Sequence, residues 1–175
     1  MSHLLVYATT DSRLHADLLV VRLKRSGIAT ALISVLYPSN LRPNSTRCWI
    51  RGSMPFQLES GDEVTVSGML GLRLNALAKR WGRNSLVDGL SEIGLSHEQS
   101  RNVEESLRGN SIVVAVEVAD EGELPSIYHT LRGLAVEKVH TSDSAINNRE
   151  LSSPSRRYRR VYAASDLALA HGFVA

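Results

Sequence analysis

Cysteine is almost absent from this chain. Cys48 stands alone among 175 residues, so no intrachain disulfide can form and nothing calls for an oxidising compartment. A reduced, cytoplasmic setting is the expectation. Long apolar runs are missing too: the most apolar helical stretches are interrupted by Arg13 and Arg22 in one case and by Arg73 and Lys79 in the other, well short of the roughly 20 apolar residues that a spanning helix needs. The opening Met1-Ser2-His3-Leu4 lacks the charged, apolar and small-residue regions of a signal peptide. Neither export nor a membrane span is expected. His3, His15, His97, His129, His140 and His171 include no pair three or four residues apart, and Cys48 has no cysteine neighbour. Clustered metal ligands are therefore not in view, and we expect neither metal nor cofactor.

What is present belongs to an ordinary globular protein. Hydrophobic residues make up 43% and charged residues 22%, enough for a core within one domain plus a tail. Net charge is +2, but it is unevenly placed. From Ala145 to Ala175 five arginines stand against Glu150 and Asp166, so the tail is basic and the body close to neutral.

The strongest positive signal is Ser111 to Val118, Ser-Ile-Val-Val-Ala-Val-Glu-Val, introduced by Gly109 and Asn110. Short apolar runs occur in buried helices as well, but β-branching of this density favours a strand buried on both faces. We read it as the central strand of a sheet. A first strand, Leu4 to Thr9, precedes Thr10-Asp11-Ser12, whose side-chain oxygens suit a helix N-terminus. That helix runs to Ser26, with Gly27 placed as a left-handed C-terminal cap. Ala16, Leu19, Val20 and Leu23 form one stripe on it, and Leu14, Leu18 and Val21 form a second. A helix apolar on two sides is covered on two sides. The second stripe is thus a candidate association surface, to be met by a helix at Met69 to Trp81 or by another subunit, and a homo-oligomer is expected. A second strand spans Ile28 to Leu36, with Ile33, Val35 and Tyr37 on one face, and ends at Pro38.

Residues 37–61 hold Pro38, Pro43, Gly52, Pro55 and Gly61 around a short strand at Cys48 to Arg51, and read as an excursion from the core. Val64 to Ser67 reads as a short strand or as the approach to a helix. Leu70, Leu74, Leu77 and Trp81 repeat at helical spacing, stopped by Gly82, and Leu86, Leu90 and Ile93 mark a second short helix. Ser96-His97-Glu98-Gln99 has the form of a capping box and opens a third helix that ends at Arg108. Beyond the central strand, Leu124, Ile127, Tyr128 and Leu131 define a helix with Pro125 in its first turn and Gly133 as its cap. Ala135 to His140 is the last strand. Leu4 to Leu36 and Ile112 to Val139 therefore share one order, with Asp120 answering to Asp11 and Gly133 to Gly27. Two such units join most simply as one antiparallel sheet with its two helices on one face. The expected fold is α+β, a ferredoxin-like split βαβ over residues 1–140, with a helical insertion at about 68–108 and a polar linker and basic tail at 141–175.

Several stretches resemble a family of small bacterial general stress or heat-induced stress proteins. They are Val6-Tyr7-Ala8-Thr9-Thr10-Asp11-Ser12, Ile33-Ser34-Val35-Leu36-Tyr37-Pro38, Val66-Ser67-Gly68-Met69-Leu70, Gly94-Leu95-Ser96 before Glu104-Glu105-Ser106-Leu107, and Gly109-Asn110-Ser111-Ile112-Val113-Val114-Ala115-Val116. The likeness covers roughly residues 4–140 and consists of turn and core positions. The family's middle tends to be long, rich in glycine and alanine, and hydrophobic. Here it is shortened and carries Arg73, Lys79, Arg80 and Arg83. The resemblance implies a stress-associated protein and no activity, catalytic residue or cofactor.

No residue pattern makes a convincing catalytic centre. Ser67, in Val-Ser-Gly-Met, lacks the first glycine of a nucleophile elbow and is expected to cap a helix. Gly68-Met-Leu-Gly71 is only part of a phosphate loop, with no following lysine, and close packing of helix on sheet explains it better. Arg73, Lys79, Arg80 and Arg83 around Trp81 suggest a nucleic-acid patch, but sheets that bind RNA carry aromatics on their central strands and Ser111 to Val118 has none. A solvated helical face anchored by Trp81 is preferred. Arg156, Arg157, Tyr158, Arg159 and Arg160 form the sharpest charge cluster, suited to an acidic partner such as nucleic acid. The expected function is non-enzymatic, through self-association or partner binding. The alternatives are nucleic-acid binding by the basic tail and, on fold analogy alone, a regulatory domain for a small ligand.

Overall fold

The computed structural model describes residues 4–41, 52–82, 85–118, 120–132 and 138–142. Strand β1 (Leu4–Thr10) leads into helix α1 (Arg13–Arg25), capped by the Ser12 hydroxyl, which accepts a hydrogen bond from the His15 amide at 3.3 Å. At the other end the Ile28 amide bonds to the Leu23 carbonyl and the Gly27 amide to that of Lys24, with Gly27 at φ 89°. This is a Schellman closure, which needs a left-handed residue that glycine supplies without a Cβ clash. Ile28 is therefore part of the helix terminus. After a 3-10 turn at Thr30–Leu32, strand β2 (Ile33–Pro38) begins later than apolarity alone suggests.

Strands β3 (Ser53–Gln57) and β4 (Glu63–Ser67) form a hairpin, followed by helices α2 (Met69–Trp81), α3 (Leu86–Ile93) and α4 (His97–Arg108). The expected capping box at the start of α4 is formed reciprocally, Gln99 amide to Ser96 hydroxyl at 3.1 Å and Ser96 amide to Gln99 side chain at 2.9 Å. Strand β5 (Ile112–Val118), helix α5 (Leu124–Arg132) and strand β6 (Lys138–Thr141) complete the described chain. The fold is α+β, and the described residues form six strands in one sheet ordered β3-β4-β2-β5-β1-β6. Every neighbouring pair is antiparallel. No described helix is long and apolar enough to cross a membrane.

Alternation along the strands divides two cores. Val6, Ala8, Ile33, Val35, Tyr37, Ile112, Val114 and Val116 pack with Ala16, Leu19, Val20 and Leu23 of α1 and with Leu124, Ile127, Tyr128 and Leu131 of α5. Leu5, Tyr7, Leu36, Val64, Val66, Val113 and Ala115 pack on the opposite side with Leu70 and Leu74 of α2, Leu86 and Leu90 of α3, and Val103 and Leu107 of α4. The sheet is thus the middle of three layers. All seven residues of β5 are buried, which is why the strand reads as an unbroken apolar run, each large side chain contributing about 1.5–3 kcal/mol.

The segment between the halves is not purely helical. Its hairpin lengthens the sheet, and β3 escaped the sequence reading because Pro55 interrupts it; Phe56 is buried while Ser53, Pro55 and Gln57 are exposed. Proline has no amide to give a ladder and is tolerated on just such an edge strand. The strand expected at Cys48 to Arg51, the Gly133 cap and the start of the last strand at Ala135 lie outside the described residues.

Candidate functional site

The most distinctive surface feature lies on α1. Its buried side is formed by Ala16, Leu19, Val20 and Leu23, whereas Leu14 is 65% exposed, Leu18 is 38% exposed and Val21 is half-buried. At 3.6 residues per turn the second stripe sits on the side of the helix opposite the core. Helix α2 packs on the other face of the sheet. It does not cover this stripe, which removes the intramolecular option offered for Met69 to Trp81. Met69 and Leu72 are a second exposed apolar pair, on α2 itself.

Helix α2 reaches unusually close to the sheet. A Cβ on Gly71 would lie 2.6 Å from the Val66 carbonyl oxygen, and one on Gly68, at φ 102°, would lie 2.6 Å from the Ser34 hydroxyl and 2.7 Å from the Ile33 carbonyl. The two glycines let backbone meet backbone, as the packing explanation of Gly68 to Gly71 requires. The free amide of Leu70 is met by the Ser34 hydroxyl at 3.2 Å. Ser67 is consequently not the cap. Its side chain points to the opposite face of β4, 3.3 Å from the Tyr37 hydroxyl and 2.9 Å from that of Ser53. Three hydroxyls in a chain satisfy one another, and no base is among them.

Arg73 departs from the expected solvated face. Its guanidinium pairs with Glu117 of β5 at 2.5 Å, the carboxylate side chain being only 11% exposed. A carboxylate on an otherwise apolar sheet face needs such a partner, because an unpaired buried charge is strongly destabilising. The lone Glu within Ser111 to Val118 was the signal for this pair. Lys79 and Arg80 are exposed, and the side chain of Trp81 and the whole of Arg83 lie outside the described residues. A second buried carboxylate, Glu104, accepts from the Glu59 amide at 2.6 Å and lies 3.5 Å from Arg108, tying the β3–β4 turn to α4. Tyr7 stacks on His140 with centroids 5.1 Å apart, and burial pushes its phenol up to about 12.

A cleft of about 360 Å³ lies where β2 and β4 meet the end of α4, lined by Pro38, Leu58, Val64 and Leu107 and carrying Asp62, Glu63 and Arg108. Ser39 donates to a Glu63 carboxylate oxygen at 3.1 Å there. Mixed charge without a paired nucleophile and base gives it no evident chemistry. Among the described residues no group of three or more His, Cys, Asp or Glu is placed to hold a metal ion. Arg156, Arg157, Tyr158, Arg159 and Arg160 lie outside the described residues. No family model matches the chain, and no curated protein or solved structure matches it.

Proposed function

We propose that this chain is a non-enzymatic protein of the stress-associated kind it resembles, built on a ferredoxin-like split βαβ core, and that it acts through self-association. The strand order β2-β5-β1-β6 with α1 and α5 on one face supports the core assignment. One observation carries the function: with both sheet faces covered, the outer stripe of α1 leaves Leu14 and Leu18 open to water, which favours burial against a partner. Sedimentation velocity over a concentration series tests it. The wild-type weight-average mass should rise with concentration and that of a Leu14→Asp, Leu18→Asp variant should not. A wild-type chain that stays monomeric throughout refutes the reading.

The second reading, nucleic-acid binding by the basic tail, rests on Arg156 to Arg160, and Arg73, paired with Glu117, does not add to it. Four arginines within five residues would make retention on oligonucleotides fall steeply as salt rises. Replacing all four by glutamine in the full chain should then abolish that retention, and an absence of binding at low salt removes this reading.

A further inference from the structure

The cleft between the β3–β4 hairpin and the end of α4 takes charge of opposite sign from its two sides. Asp62 and Glu63 come from the hairpin, where the turn runs into β4, and Arg108 is the last residue of α4. Both sides are held from behind. The Ser39 hydroxyl donates to Glu63 at 3.1 Å and the Ser60 hydroxyl to Asp62 at 2.7 Å. Arg108 lies 3.5 Å from Glu104, which the Glu59 amide anchors in turn. That one long contact leaves most of the five guanidinium N–H donors unused, and each rim carboxylate keeps one oxygen for a further donor. Among the described residues no ion pair joins Arg108 to Asp62 or Glu63. The opposite charges therefore share a cleft of about 360 Å³ without closing on one another, a volume at the lower end of small-molecule sites. Leu58, Val64 and Leu107 give it an apolar floor; each is buried, so only a narrow strip of it meets the cleft.

We propose that this cleft binds a small zwitterion, an α-amino acid with a short aliphatic side chain. Its ammonium is met by Asp62 and Glu63, its carboxylate by Arg108, and its side chain lies over the strip of Leu58, Val64 and Leu107. The proposal is independent of the self-association reading, because α1 packs on the other face of the sheet. Charge complementarity selects the class. An anion meets two carboxylates and a simple cation meets the guanidinium, whereas a zwitterion answers both sides at once. A carboxylate also suits the planar fork of an arginine. A metal ion is not favoured, since no group of three or more His, Cys, Asp or Glu is placed to hold one among the described residues. Asp62, Glu63 and Arg108 are exposed, so water and salt weaken each contact and the affinity is about millimolar.

The test is a titration of the full-length, nitrogen-15-labelled chain followed by amide chemical shifts. The probes are L-leucine, isoamylamine, which is leucine without its carboxylate, and isocaproate, which is leucine without its ammonium. Leucine should shift the amides of Asp62, Glu63, Val64, Arg108 and Asn110 saturably, and each analogue should bind at least about tenfold more weakly for the charge-assisted contact it lacks. Glu63→Gln and Arg108→Gln should each weaken leucine about tenfold as well. Arg108→Gln also strips Glu104 of its cation, so circular dichroism checks its fold; if it does not fold, Glu63→Gln and the two analogues carry the test. An amine or a carboxylate that binds as well as leucine overturns the proposal, because the cleft then reads one charge only. So does an absence of saturable shifts at these amides up to about 20 mM leucine, well above the affinity expected, or leucine binding that Glu63→Gln leaves unchanged.

Discussion

Replacing Arg73 by methionine keeps the stem that packs on the sheet and removes the charge that answers Glu117. Breaking a fully buried pair costs about 3–5 kcal/mol. The Arg73 side chain is 33% exposed, so water attenuates the interaction, and we expect about 2 kcal/mol. With a urea m-value of about 2 kcal/mol/M the unfolding midpoint should fall by about 1 M. Glu117→Leu alone should cost less, because the arginine it strands can turn to solvent while a stranded Glu117 cannot. Arg73→Met with Glu117→Leu should return close to wild type, apolar replacement of an ion pair being nearly neutral. An Arg73→Met midpoint indistinguishable from wild type would refute the argument, as would simple additivity in the double variant.

Gly71→Ala sets a methyl group against the Val66 carbonyl oxygen, a backbone atom that cannot turn aside, and should destabilise by about 1–3 kcal/mol in the same assay despite alanine's better helix propensity. Tyr7 offers a pH signature. Its phenol is raised from 10.0 to about 12 by burial, so between those values the unfolded chain ionises Tyr7 and the folded chain does not. Stability present below pH 10 is therefore lost as pH rises towards about 12. Tyr7→Phe should blunt that alkaline loss by about 1 kcal/mol near the top of the window, and identical alkaline profiles for the two proteins would count against it.

Much of the architecture was legible because it is written in local chemistry. The β-branched run of β5, the capping box at Ser96, the glycine after α1 and the two stripes of α1 each depend on neighbours within a few residues. Other features depend on what lies across the fold. The edge strand β3 was hidden by Pro55, whose acceptability follows only from having no strand beyond it among the described residues. Ser67 reads as a cap from its place before a glycine, yet strand alternation turns it away from the helix and leaves Ser34, distant in sequence, to meet the amide. Arg73 reads as a surface cation until the lone Glu of β5 is seen to lie beneath it.

The position of β5 between β2 and β1 has a consequence for how the chain folds. Leu4 lies opposite Val118 and Ile33 opposite Val116, so neither early strand gains this neighbour until more than a hundred residues have been synthesised. Contacts so distant in sequence close slowly, and strands waiting for them expose unpaired backbone. The β3–β4 hairpin is different, since both of its strands and the β2 edge it joins are available early. Assembly should therefore begin with β2, β3 and β4, and the arrival of β5 is the step that brings β1 into the sheet and gives α1 and α5 a common floor.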